Sequence, residues 1–174
     1  SKVTASDIDQ TVDFLVNLRE LSRAEGASQL PTAGDACFSF RDVYVGVESR
    51  LNRLLALQRQ SPEYRDLQEF LQTICVPYLK EKLCWVKSRL EDLGMSFEKE
   101  LGPEERTLSP SDFGYHNALR RSDGKVIFID FEYFGWDDPA KTISDFLLHP
   151  NMNIKPDLKK LFVRNIVSYF AEDK

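Results

Sequence analysis

A chain of 174 residues with 42% hydrophobic content is long enough to bury one sizeable core and requires no second domain. Its 23 Lys and Arg against 28 Asp and Glu leave a net charge of -5, and the basic residues fall singly or in pairs, which argues against a nucleic-acid surface. No stretch reaches the roughly 20 apolar residues of a membrane span, and no apolar signal core stands at the start, so neither a membrane nor a secretory route is expected.

The predicted elements begin with a helix capped by Ser6 and running to about Arg23, with Asp7 and Asp9 in its first turn, where they complement the helix dipole. Its apolar sector, from Ile8 and Val12 through Phe14, Leu15, Val16, Leu18 and Leu21, is wide enough to require burial inside a larger assembly of helices. Ala24 to Asp35 is a loop by its small and polar composition. Ser39 opens a second helix, with Asp42 completing a capping box. Phe40, Val43, Tyr44, Val47, Leu51, Leu54 and Leu55 lie on one stripe of it, and its end is expected near Gln60.

Ser61-Pro62-Glu63 starts the next helix, with proline where no amide bond is lost. Leu67, Leu71, Ile74 and Tyr78 form one stripe there, and Leu79, Leu83, Val86, Leu90 and Leu93 form another displaced by one residue. Pro77 stands at the phase break, lacks an amide hydrogen and clashes with the carbonyl of Thr73, which predicts a kink or short break before an end at Gly94. Cys37, Cys75 and Cys84 have no metal or redox spacing and read as free thiols of a reducing compartment, so a cytoplasmic protein is expected. Met95 to Arg106 is a charged connector.

The stretch from Thr107 to Glu132 holds the densest set of chemical side chains. Asp123-Gly124 between Ala118–Arg121 and Val126–Ile129 predicts a two-residue type I′ hairpin. In that register Arg121 faces Val126, Leu119 faces Phe128, and Asn117 faces Asp130. Opposed residues on antiparallel strands lie roughly 4.5–5.5 Å apart, near enough for an amide oxygen and a carboxylate to share a hard cation such as Mg²⁺. Asp112, in a loop five residues before Asn117, opens onto the same end. Downstream, Asp138-Pro139 starts a short helix to about Leu148, and Pro156 leads into a last helix with Leu158, Leu161, Phe162, Ile166, Tyr169 and Phe170 on its apolar side.

The pattern Asp112-x-x-x-x-Asn117, a short hairpin, then Ile129-Asp130-Phe131-Glu132 and Asp138-Pro139 resembles the catalytic half of the aminoglycoside phosphotransferase and choline kinase group. These are small-molecule kinases with a protein-kinase-like fold. The resemblance implies an α+β, predominantly α-helical C-terminal lobe whose small β-hairpin carries the metal site. It implies that Asp112 is the catalytic residue that orients, and can deprotonate, a hydroxyl of a small-molecule substrate. Asn117 and Asp130 would hold Mg²⁺ on the phosphates of ATP, and Asp145 would brace the catalytic-loop backbone. Phosphoryl transfer rests mostly on positioning and on neutralising phosphate charge, which suits such a set.

The eight glycines never form a Gly-x-Gly phosphate-covering loop, and no lysine-bearing strands precede the first helix. The expectation is therefore a single domain, with the N-terminal nucleotide-binding lobe outside this chain and ATP bound poorly without it. Pro110-Ser111 replaces the family's His-Gly, removing a side chain that anchors the loop, and Phe-Gly-Tyr-His replaces the usual segment before Asn117. Asp112-Phe113-Gly114 spells the protein-kinase metal tripeptide but precedes the Asn, so it reads as coincidence.

Taken singly, several of these residues have plainer roles. Asp138 reads as a helix cap, Glu132 as a solvated carboxylate or a pocket wall, and His116 and His149 as ordinary. Tyr133 and Trp136 read as core rings or stacking surfaces. Two other classes compete with the enzyme: a catalytically silent kinase-like binding module, and an unrelated helical domain with accidental Asp and Asn spacing.

Overall fold

A computed structural model of the chain describes residues 3–57 and 61–172. In chain order its elements are α1 (Ala5–Leu21), α2 (Phe40–Leu55), α3 (Pro62–Phe70), a π-helical turn at Leu71–Cys75, α4 (Val76–Asp92), β1 (Thr107–Ser109), β2 (Ala118–Arg120), β3 (Val126–Phe128), β4 (Gly135–Asp137), α5 (Pro139–Leu148) and α6 (Pro156–Glu172). The architecture is mixed α+β and mostly helical, with two small antiparallel sheets, β1 with β4 and β2 with β3. No helix among the described residues is long and apolar enough to cross a membrane. The chain divides into two compact units: residues up to Ala36 together with those from Gly102 onward, and Cys37–Leu101.

The first unit carries the larger core. Ile8, Val12, Leu15 and Leu18 of α1 meet Leu108 of β1, Phe113, Phe128 of β3, Phe146 of α5, and Phe162 and Ile166 of α6. α1 begins at Thr4 rather than Ser6. The Thr4 hydroxyl accepts from the Asp7 N–H, and the Asp7 carboxylate accepts from the Thr4 N–H at 2.8 Å. Tertiary structure selects this box over the Ser6 alternative, because Asp7 is fully buried and meets the Arg120 guanidinium at 2.6 Å. That guanidinium outweighs burial and holds the Asp7 carboxyl below the usual carboxylate range.

The hairpin closes differently from the sequence expectation. Ala118 pairs with Phe128, Leu119 with Ile127 and Arg120 with Val126, one residue away from the predicted register. The turn is the cause: the Arg121 N–H donates to the Lys125 carbonyl at 2.9 Å and the Gly124 N–H to the Arg121 carbonyl at 3.0 Å. A type I′ turn needs positive φ at both Asp123 and Gly124, but only Gly124 is left-handed, at φ 86°. Asp123 instead accepts the Lys125 N–H on its side chain, which gives a three-residue turn. This register buries Phe128 in the core.

β4 carries the 27–34 loop. The Ala33 N–H donates to the Trp136 carbonyl at 3.0 Å, the Trp136 N–H to the Pro31 carbonyl at 2.9 Å, and the Trp136 indole N–H to the Ala27 carbonyl at 3.0 Å. Trp136 is thus packed and bonded, the plainer of its two expected roles. Gly135 is required at the crossing, since a Cβ there would come within 2.3 Å of the Pro31 carbonyl oxygen.

In the second unit the Ser39–Asp42 capping box forms as predicted, and the Ser61 hydroxyl caps α3 in front of Pro62. α2 ends at Leu55; Gln60, where its end was expected, lies outside the described residues. No residue of α2 is buried, and Phe40, Val43, Val47 and Leu54 of its apolar stripe remain exposed. The break expected at Pro77 is a π turn, in which the Val76 N–H reaches the Leu71 carbonyl. One surplus residue in that turn accounts for the displaced stripe. Gly94, at φ 65°, ends α4: its N–H donates to Glu91 and the Met95 N–H to Leu90, a Schellman arrangement.

Phe146 is fully buried among Phe113, Tyr115 and Phe162. Phe146→Ala should lower the unfolding free energy by about 3–5 kcal/mol, read from a denaturant titration. A loss of under about 1 kcal/mol would mean this core is not the one described.

Candidate active site

The loop from Ser109 to Asn117 is positioned by what it buries. Ser109 is enclosed, and its hydroxyl accepts from the Thr142 hydroxyl at 3.0 Å and from the Ser111 N–H at 3.1 Å. Phe113 inserts between Phe14, Phe128 and Phe146, with ring centroids at 5.5, 4.8 and 5.3 Å. Between these anchors Ser111 adopts φ 67°, a left-handed conformation costing of order 1 kcal/mol outside glycine. Ser109 and Phe113 anchor this loop to the core. Asp112, between the strained and the buried residue, faces solvent.

Tyr115 ties the next turn to α1. Its hydroxyl lies 2.9 Å from that of Thr11, and burial pushes its pKa up to about 12. Gly114 allows a close approach, because a Cβ would fall 2.6 Å from the Met152 sulfur and 2.7 Å from His116 Nδ1. Each residue of the Asp112-Phe113-Gly114 tripeptide therefore has a structural task in this loop.

Asp112 gathers three partners. His116 Nε2 lies 2.9 Å from its Oδ1, and Asn117 Nδ2 donates to its carbonyl at 3.0 Å and to its Oδ2 at 3.2 Å. His149 Nε2 lies 3.8 Å from the same Oδ1. The two imidazoles stack, with centroids 4.2 Å apart and an interplanar angle of 12°. The His116 contact is the largest influence on the Asp112 carboxyl and holds it below the usual range, against the opposing effect of burial; Asn117 and His149 add to the depression.

Both histidines were passed over as ordinary in the sequence. His116, four residues after Asp112, was within reach of a local argument, whereas His149 arrives from the end of α5 and leaves no local signal.

Asp130 follows β3, is exposed and sits at φ 67°. The Ile129 N–H donates to the Asn117 carbonyl at 2.9 Å, so Asp130 stands one residue past Asn117's partner instead of opposite Asn117. The Tyr133 hydroxyl is raised above its usual range first by its hydrogen bond with Glu132 and, least, by the charges of Asp130 and Asp112. Asn117 spends its amide nitrogen on Asp112 and keeps its oxygen available. Amide and carboxylate oxygens are the donor types that fit a hard cation such as Mg²⁺.

Asp145 pairs with Lys141 at 2.7 Å, and Lys141 also meets the fully buried Asp137 at 3.2 Å. Burial would lower Lys141, but these two carboxylates hold it above its usual value. The Asp112 backbone is held by Asn117, while Asp145 completes the ion pair within α5. Asp138 caps α5 by accepting the Ala140 N–H at 2.7 Å, its plain reading. A cavity of about 730 Å³ opens beside Asp112, walled by Asp35, Tyr133, Lys141, Asp145 and His149.

No family model, curated protein or solved structure matches the chain. Its chemistry has to be read from these side chains. They combine an ionised carboxylate held by an amide and an imidazole, a second carboxylate at a strained strand end, and an open cavity of ligand size.

Replacing His116 by Ala removes the largest cause of the Asp112 depression. The Asp112 carboxyl should then titrate at higher pH than in the parent chain, followed by carboxyl ¹³C NMR. An unchanged titration would show that the imidazole contact does not form in solution.

Proposed function

We propose that this chain is the catalytic half of an ATP- and Mg²⁺-dependent phosphotransferase that acts on a hydroxyl of a small molecule. The observation that carries the reading is the meeting at Asp112 of the Asn117 amide, at 3.0 and 3.2 Å, with the cavity alongside. The order of these parts along the chain, loop aspartate, asparagine, then strand-end aspartate, is the order that the sequence resemblance implies.

In this reading the cavity receives the acceptor and Asp112 turns its hydroxyl toward the phosphate. The depressed Asp112 carboxyl is ionised at neutral pH and so accepts the hydroxyl hydrogen bond, taking the proton as the new O–P bond forms and the bond from the γ-phosphorus to the departing ADP breaks. Asn117 fixes both the backbone and one oxygen of that carboxylate, which keeps the other oxygen directed. Asn117 and Asp130 would hold Mg²⁺, which when bound neutralises charge on the phosphates. Lys141 is committed to Asp137 and Asp145 and serves the wall of the site. A nucleotide-clamping lobe would complete the ATP site.

The test is Mg-ATP-dependent phosphate transfer by the full-length protein to a panel of small-molecule alcohols. Asp112→Ala should lower kcat by about 10²–10⁴-fold with the KM for ATP little changed, and Asp130→Ala should abolish the Mg²⁺ dependence of nucleotide binding. Binding of Mg-ATP without any transfer would mark a silent binding module, and absence of both would overturn the kinase reading.

A further inference from the structure

We infer that Asp112, His116 and His149 form a binding site for a borderline divalent transition ion of the Zn²⁺ class, distinct in chemistry from the oxygen ligands Asn117 and Asp130. The chain has two histidines, and both converge on one carboxylate. One ligand atom from each of the three residues lies within 4.8 Å of the others. The two rings stack with centroids 4.2 Å apart, and their Nε2 atoms lie 2.9 and 3.8 Å from Asp112 Oδ1.

Donor type decides which ion fits. Imidazole nitrogen suits Zn²⁺ and its neighbours in the first transition row, whereas Mg²⁺ and Ca²⁺ take oxygen. Two imidazoles and one carboxylate beside an open cavity make three protein ligands with room for water or another molecule in the remaining position, the arrangement of an open zinc site. With Zn–N and Zn–O distances of about 2.0–2.2 Å, ligand atoms around a tetrahedral ion stand about 3.3 Å apart. The His116–Asp112 contact is already shorter than that, at 2.9 Å; His149 stands at 3.8 Å, and the stacked rings have to turn out of their parallel arrangement for both in-plane lone pairs to meet one ion.

The protons are accounted for as well. The Asn151 N–H donates to His149 Nδ1 at 3.2 Å, so the proton of the neutral ring lies on Nε2, toward Asp112. An ion at Nε2 takes the place of that proton, which passes to Nδ1. The ring stays neutral and the Asn151 contact is given up. The cluster as it stands thus holds hydrogen atoms where a cation would sit.

The site does not depend on the phosphotransferase reading. If that reading holds, an ion here occupies the Asp112 carboxylate and should inhibit transfer that Mg²⁺ supports.

Zn²⁺ alone, titrated calorimetrically into the metal-free protein, should bind one ion per chain. His116→Ala and His149→Ala should each weaken it about tenfold or more, and the double variant should abolish it. Co²⁺ should give visible absorption bands of a nitrogen-ligated ion, and Mg²⁺ should not displace it. Because a variant can misfold, the unaltered chain supplies a second readout: Zn²⁺ should shift the imidazole ¹⁵N signals of both histidines, with His149 changing tautomer. No Zn²⁺ binding, binding undiminished in the folded double variant, or imidazole signals that do not respond to Zn²⁺ would each overturn the site. None of these results bears on Mg-ATP-dependent transfer, which is measured separately.

Discussion

The structure depends on one buried ring. Phe113 packs within 5.5 Å of Phe14, Phe128 and Phe146, and each comes from a different part of the chain: α1, the hairpin and α5. Removing such a ring from water is worth about 1.5–3 kcal/mol, more than the strain at Ser111 that its burial imposes. Asp112, between Ser111 and the locked Phe113, is left facing solvent. A residue next to a locked aromatic has its direction fixed, which is how a loop without regular structure can hold a reactive group still.

Charge around that point is arranged unevenly. On the α5 side, Lys141 is paired with both Asp137 and Asp145, so one cation there meets two carboxylates. On the hairpin side, Asp130 and Glu132 have no such cation among the described residues, and both raise the Tyr133 hydroxyl. Asp112 is relieved by its contacts with His116 and Asn117. The pocket therefore has a local deficit of positive charge.

What could be read from the sequence was local. The Ser39–Asp42 box, the Ser61-Pro62 and Asp138-Pro139 starts and the stop at Gly94 each depend on a few neighbouring residues, and all of them form. The Asp112 and Asn117 spacing was legible for the same reason. The hairpin register was not, because Asp-Gly serves both two-residue and three-residue turns, and the sign of one dihedral at Asp123 decides between them. Thr4 prevailed over Ser6 through the distant Arg120, and His149 joined Asp112 through the path of α5. The exposure of the α2 stripe was equally out of reach, since periodicity predicts an apolar face but not what covers it.

The widened turn at Leu71–Cys75 bears on how this region tolerates changes in gene length. A helix that loses or gains one residue ordinarily rotates everything beyond it by about 100°, since each residue advances the spiral by 1/3.6 of a circle. Here the extra residue is held in a single loosened coil, next to a proline that could not have closed a regular one. The two flanking segments keep their own facing. A one-codon insertion at such a place can be inherited without remaking either neighbour, and the bulge stays behind as its physical trace.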